Sequence, residues 1–151
     1  MEIRQLHLTA VDDVALDALA EIRPDLVLVF AAPKFFTDDR LPAWLGKAFP
    51  HARRIGLSTA GEICGQGVGQ DSLVVTALRF DRIRTRIAET ELTGMEDSQA
   101  AGARLAHALD DGDLKAVLLL CQGVAINGSD VIAGVTSVLG KNIPITGGLA
   151  G

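Results

Sequence analysis

Two apolar runs without a single charge, "LVLVFAA" (26–32) and "AVLLLC" (116–121), constrain this chain more than any other feature. A run apolar at every position suits a strand covered on both faces rather than a half-exposed one. Each run leads through a helix-like segment to a second strand and a glycine-rich loop. The first ends in "LGKAFPHARRIGLSTAG" (45–61) and the second in "LGKNIPITGGLAG" (139–151). Leu26 and Ala116 stand as far apart as Gly61 and Gly151 (116 − 26 = 151 − 61 = 90). Leu45 and Leu139 are 94 apart, so a small insertion separates helix from strand. Such self-similarity marks a duplicated supersecondary unit.

The segments between fit this plan. "DDVALDALAEIR" (12–23) predicts a first helix, with Val14 or Ala15, Leu16, Leu19 and Ile22 as its apolar face and Thr9/Asp12 as a capping box. In "DDRLPAWLGKAF" (38–49), Leu41, Trp44, Leu45, Ala48 and Phe49 recur at helical spacing, with Thr37 or Asp38 as cap and Pro42 in the first turn. "DSLVVTALRF" and "IRTRIAETEL" predict an antiparallel hairpin over 72–92, turning at Asp81-Arg82. A helix from Ser98 to about Leu109 follows, with a Thr93/Glu96 capping box. Another over 127–139 is capped by Asn127 or Ser129 and stopped by Gly140; Val131, Ile132, Val135, Val138 and Leu139 face inward. The expected fold is α/β. Two duplicated strand–helix–strand units form a mixed sheet of parallel pairs plus an antiparallel hairpin, with helices packed on the sheet.

Composition bounds the function. A mean hydropathy of +0.30 and 48% hydrophobic residues imply a packed core, and with 4% aromatics that core is aliphatic. Net charge −5 and a pI near 5.1 argue against nucleic acid or an anionic membrane as partner. Arg79, Arg82, Arg84 and Arg86 form the one dense basic group, expected on a solvent face. The start of the chain is too charged for a signal peptide, and no apolar run reaches the roughly 18 residues of a membrane span. A cytoplasmic setting is expected. Cys64 and Cys121 make no zinc spacing, and His7, His51 and His107 are scattered, so no metal site is expected.

The loop "GLSTAGEICGQGVG" (56–69) holds the chemistry. A nucleophile elbow needs Gly-x-Ser-x-Gly, but here Ala60 stands in the last place. Gly65, Gly67 and Gly69 have the wrong spacing for a dinucleotide fingerprint, and the Gly-Lys-Ser/Thr end of a P-loop is missing. No catalytic residue is assigned. As a binding loop the segment is coherent. Glycines leave N–H groups open to a carboxylate or phosphate, the Ser58 and Thr59 hydroxyls can donate, and Glu62 suits an ammonium group. The candidate ligand-binding residues are Ser58, Thr59, Gly61, Glu62, Cys64, Gly147, Gly148 and Gly151. Phe35 or Phe36 and Gln122 or Gly123 are possible walls, and the two glycine loops could border one cleft. A competing reading is that the glycines merely let backbones approach.

"GLSTAGEI" (56–63), "LVLVF" (26–30) and "PITGGLAG" (144–151) together resemble the N-terminal part of a FIST domain, a bacterial and archaeal sensory module. Gly56, Ser58, Thr59, Gly61, Glu62 and Ile63 match its first signature. Gly147, Gly148, Ala150 and Gly151 match its second, whose aspartate would fall one position beyond Gly151. The resemblance implies residues 1–151 are the N-terminal part of a sensory domain in truncated form. It further implies a non-enzymatic domain sensing small ligands such as amino acids, coupled to a histidine kinase, a cyclic-dinucleotide enzyme or a chemotaxis receptor. Haem is attributed to some members, which makes a haem-binding gas sensor the alternative, with His51 or His107 as the iron ligand. A protein-interaction scaffold without ligand is a further alternative. Since the second unit stops at its glycine loop, a homo-oligomer through an exposed strand edge is also expected.

Overall fold

The computed structural model describes residues 1–12, 15–65 and 67–151, in two compact units, Met1–Thr85 and Arg86–Gly151. Val14, read from the sequence as a core residue of the first helix, lies outside the described residues. The first unit runs β1 (Glu2–Leu8), α1 (Asp17–Ala20), β2 (Leu26–Ala31), α2 (Pro33–Phe36), α3 (Arg40–Ala48), β3 (Arg53–Ser58), β4 (Glu62–Cys64), β5 (Gly67–Gly69) and β6 (Leu73–Arg79). The second runs α4 (Ser98–Leu109), β7 (Val117–Cys121), α5 (Gly128–Leu139) and β8 (Ile145–Leu149).

The protein is α/β with a mixed sheet. In the first unit the strand order is β1-β6-β2-β3; β2 and β3 are parallel, and β6 lies antiparallel to both β1 and β2. β7 and β8 form a parallel pair of their own. Each unit thus contains strand, helix and parallel strand, as the repeat predicts. The partners Leu26↔Arg53 and Val117↔Ile145 make the spacing one residue longer in the second unit.

The antiparallel pairing is not where the sequence put it. β6 takes its partners from β1 and β2, and residues 83–92 form no strand. Among the described residues only a short hairpin, β4–β5, is antiparallel and local. The alternation in "IRTRIAETEL" resembles a strand, but β6 already has both edges filled by β1 and β2. The predicted first helix shrinks to four residues: Arg23 takes φ 51° and Pro24 disfavours helical geometry in the residue before it. Its apolar face survives, with Leu16, Leu19 and Ile22 buried.

β2 is apolar throughout, yet only Val27, Val29 and Ala31 are buried, while Leu26, Leu28 and Phe30 are half-buried. The dry face meets Leu73, Val75 and Ala77 of β6 and Leu41, Trp44, Leu45 and Phe49 at α3. Full burial of each large side chain stabilises by about 1.5–3 kcal/mol.

In the second unit, α4 and α5 pack backbone to backbone. A Cβ on Gly102 would lie 2.2 Å from the Val131 carbonyl oxygen, and one on Gly134 would lie 2.0 Å from that of Gln99. The Asn127 side chain caps α5 by accepting from the Ser129 and Asp130 N–H groups, and Gly140 ends it at φ 76°. Ahead of α4 the expected Thr93/Glu96 box is replaced by Asp97. Its carboxylate accepts from the Thr93 N–H and two bonds from the Arg104 guanidinium, which hold it far below the usual carboxylate range. Two burial expectations fail here. Leu118 of β7 is 39% exposed and Ile132 of α5 is 48% exposed. Close approach of α4 through Gly102 and Gly134 turns Val131 and Val135 inward and leaves Ile132 on another side.

Candidate functional site

The two glycine loops follow equivalent strands and begin alike. Val29 pairs with Gly56, and Leu119 pairs with Gly147. A Cβ at Gly56 would sit 2.1 Å from the Val29 carbonyl oxygen, and one at Gly147 would sit 1.8 Å from that of Leu119. Gly147 also holds φ 145°. At both places only glycine lets the parallel strands close, so part of the glycine signal is backbone approach. The ladder then extends one step past each pair: the Thr59 N–H bonds to the Ala31 oxygen, and the Ala150 N–H to the Cys121 oxygen.

Beyond that point the loops diverge. In the first unit Glu62 turns inward and is 1% exposed. Thr59 Oγ1 donates to one carboxylate oxygen at 2.7 Å; Ser72 donates to the other through Oγ at 2.8 Å and its N–H at 3.1 Å. Burial pushes the carboxyl pKa up, but these hydrogen bonds outweigh it and hold it below its ordinary value. Ser72 in turn accepts from the Ala32 N–H, so the network ties the hairpin to the start of β6 and the end of β2. A side chain at Gly69 would meet His7 Nε2 at 2.6 Å and Ser72 Oγ at 2.7 Å, so no room remains there. The Glu62 expected to receive an ammonium group therefore has both oxygens engaged inside the fold. Ser58 ends β3 half-buried, Gly61 sits in the turn, and Cys64 is a half-buried free thiol on β4. Ile63 and Val68 pair across the hairpin and are 75% and 73% exposed.

In the second unit a cleft lies beside the glycine crossing. A cleft of about 690 Å³ is lined by Leu119 and Cys121 of β7, by Ile126 to Ser129 and Ile132 at the start of α5, by Ile145 to Leu149 of β8, and by Met95. No lining residue is charged. Thr146 and Ser129 bring hydroxyls that make no hydrogen bond among the described residues, and burial pushes the Cys121 thiol pKa up. The first-turn N–H groups of Ser129 and Asp130 are already taken by Asn127, which weakens this helix end as an anion site. A Cβ at Gly148 would enter open space.

Of the predicted binding residues, Gly147 and Gly148 line this cleft; Gly151 does not, and Thr59 and Glu62 meet each other in the first unit. Among the suggested walls, Phe35 is buried in the core and Phe36 is exposed. Gln122 and Gly123 are exposed and outside the lining. Sequence reasoning missed Ile126, Ile132 and Thr146; the one available signal was an apolar position on α5 in excess of what α4 can cover. His51 and His107 are both exposed and neither lines the cleft, so the cleft offers haem no axial imidazole. Among the described residues no group of three or more His, Cys, Asp or Glu could hold a metal ion, and no helix is long and apolar enough to cross a membrane.

Comparison with known proteins matches this arrangement to one family. The family model described as the FIST N domain covers residues 25–151, from the start of β2 through both parallel pairs and both glycine loops. No curated protein and no solved structure gives a significant match.

Proposed function

This chain belongs to the FIST N-domain family, a family of sensory domains, and we propose that it senses a small, largely apolar ligand held in the cleft between α5 and the β7–β8 pair. One observation carries the reading: a cleft of about 690 Å³ whose lining is mainly Leu, Ile, Met and Gly, with no charge and two hydroxyls that make no hydrogen bond among the described residues. That size lies inside the range of roughly 300–1,000 Å³ in which small-molecule sites fall. The lining offers no counter-charge to an ammonium group, so a polyamine is disfavoured. Within the amino-acid and amine class, the lining suits a branched aliphatic body with its polar end toward Thr146, Ser129 and solvent. Binding there would bridge α5 and β8, giving the domain two states that a partner could read. The proposed output, to a histidine kinase, a cyclic-dinucleotide enzyme or a chemotaxis receptor inside the cell, rests on family membership alone.

A thermal-shift and calorimetry panel of aliphatic amino acids, their keto-acid and amide analogues, polyamines and haem tests this. Aliphatic ligands should raise the melting temperature of the wild-type protein and not that of Gly148→Val, which adds an apolar side chain in open space at a glycine of the lining. Binding that survives in Gly148→Val, or a panel in which only polyamines or haem bind, would remove the assignment.

A further inference from the structure

Among the described residues that line the cleft, all but one fall between Leu119 and Leu149. Met95 comes from a 3₁₀ turn, Met95–Asp97, ahead of α4. Two sets of hydrogen bonds fix that turn. Ser98, fully buried at the start of α4, donates through Oγ to the Met95 carbonyl oxygen at 2.6 Å and accepts from the Asn127 N–H at 2.9 Å. Asn127 lines the cleft itself and caps α5 through the Ser129 and Asp130 N–H groups. One buried hydroxyl therefore joins the Met95 wall to the α5 wall. On the other side, Asp97 accepts two bonds from Arg104, which also donates to the Glu91 oxygen and so ties the chain ahead of the turn to α4. α4 and α5 already touch through Gly102 and Gly134, which leaves Ser98 little freedom relative to Asn127.

We infer that Met95 is the cap of this cleft and that Ser98 is the residue that positions it, so that a bound ligand meets Met95 as well as α5 and β8. This role rests on the cleft being the ligand site proposed above. Met95 is 54% exposed although it belongs to an apolar lining, so its thioether gains by being covered. An unbranched side chain with three rotatable bonds also follows the shape of whatever covers it, which suits a wall that must fit aliphatic bodies of more than one length. Ser98 acts only through its neighbours. Without its hydroxyl, the Met95 carbonyl and the Asn127 N–H would each lose a partner, and the turn would no longer be tied to α5.

Alkylation of Cys121 in the ligand-free whole chain, with Cys64 as internal reference, tests the cap. Thiol reactivity follows access, so Met95→Ala should speed Cys121 at least roughly threefold, leave Cys64 unchanged and keep the melting temperature near wild type. Ser98→Ala should also speed Cys121 alone, whereas a general loosening of the fold would speed both cysteines. Should Ser98→Ala fold poorly, Met95→Ala decides the matter by itself. In the ligand panel, Met95→Ala should weaken aliphatic ligands roughly fivefold and shift the preference toward bulkier ones. An unchanged Cys121 rate in well-folded Met95→Ala overturns the cap even where aliphatic ligands bind the wild type. Equal acceleration of both cysteines in Ser98→Ala removes the positioning role. A wild type that binds no aliphatic ligand removes the binding reading instead, and a faster Cys121 in Met95→Ala would still support Met95 as the cover of the cleft.

Discussion

The two units repeat one strand–helix–strand plan and then part company at the glycine loop. Both need a glycine where the second strand crosses the carbonyl of the first, Gly56 against Val29 and Gly147 against Leu119. After that crossing, the first unit spends a carboxylate on closure: Glu62 is buried and its oxygens are shared between Thr59 and Ser72. In the second unit the stretch up to Gly151 borders a cleft beside α5, and the repeat places the position equivalent to Glu62 one residue after Gly151. Small residues after a strand therefore have two outcomes. In the first unit a buried acceptor gathers the donors and the loop becomes a structural clasp; in the second the glycines Gly147 and Gly148 line a cleft.

The shared glycines should show the largest effects. Gly147→Ala combines a backbone clash with a left-handed φ and should cost about 3 kcal/mol or more, read by chemical denaturation. Gly56→Ala meets the clash without the strain and should cost about 2 kcal/mol. If Gly147→Ala proved neutral, the two crossings would not be equivalent.

Breaking the clasp comes next. Glu62→Gln places an amide donor against Thr59 or Ser72 donors in a buried site and should lose about 1–3 kcal/mol. That differs from what a ligand anchor at Glu62, expected from the sequence to meet an ammonium group, would show on replacement. The pH dependence has a definite sign. Because the folded carboxyl is held below its ordinary value of 4.5, ionised Glu62 contributes its stability above about that pH. The contribution disappears as pH falls through the folded pKa. Melting curves from neutral pH down to acid should show this step in the wild type and a smaller one in Glu62→Gln. Equal acid sensitivity in both proteins would mean the clasp carries no linkage.

The smallest effect on stability belongs to Gly148→Val. Its side chain enters open space, so the melting temperature should move little while ligand-induced stabilisation is lost. This separates the open loop from the clasped one by function alone.

Much of this comparison was legible in the sequence, and the gaps have physical causes. β2, β7, α3, α4 and α5 stood out because apolar runs and helical periodicity are local signals, backed by the Asn127 cap and Gly140 stop. β1 did not, since "EIRQLHL" is half polar and is held by β6, more than sixty residues away. The hairpin expected over 72–92 failed for the same reason: a local turn signal lost to long-range partners. The importance of Glu62 was readable from a lone charge among small residues, but its role was not, because Ser72 is ten residues further on. Ile132 was counted as core because periodicity cannot say how closely α4 approaches through two glycines.

Each unit carries one free, half-buried cysteine: Cys64 on the clasped hairpin and Cys121 in the cleft. Differential alkylation at mildly alkaline pH, followed by mass spectrometry with and without the strongest ligand from the panel, reads both loops in one experiment. Bound ligand should slow alkylation of Cys121 and leave Cys64 unchanged. Slowing at Cys64 with Cys121 unaffected would contradict the account and return the site to the Ser58–Cys64 loop.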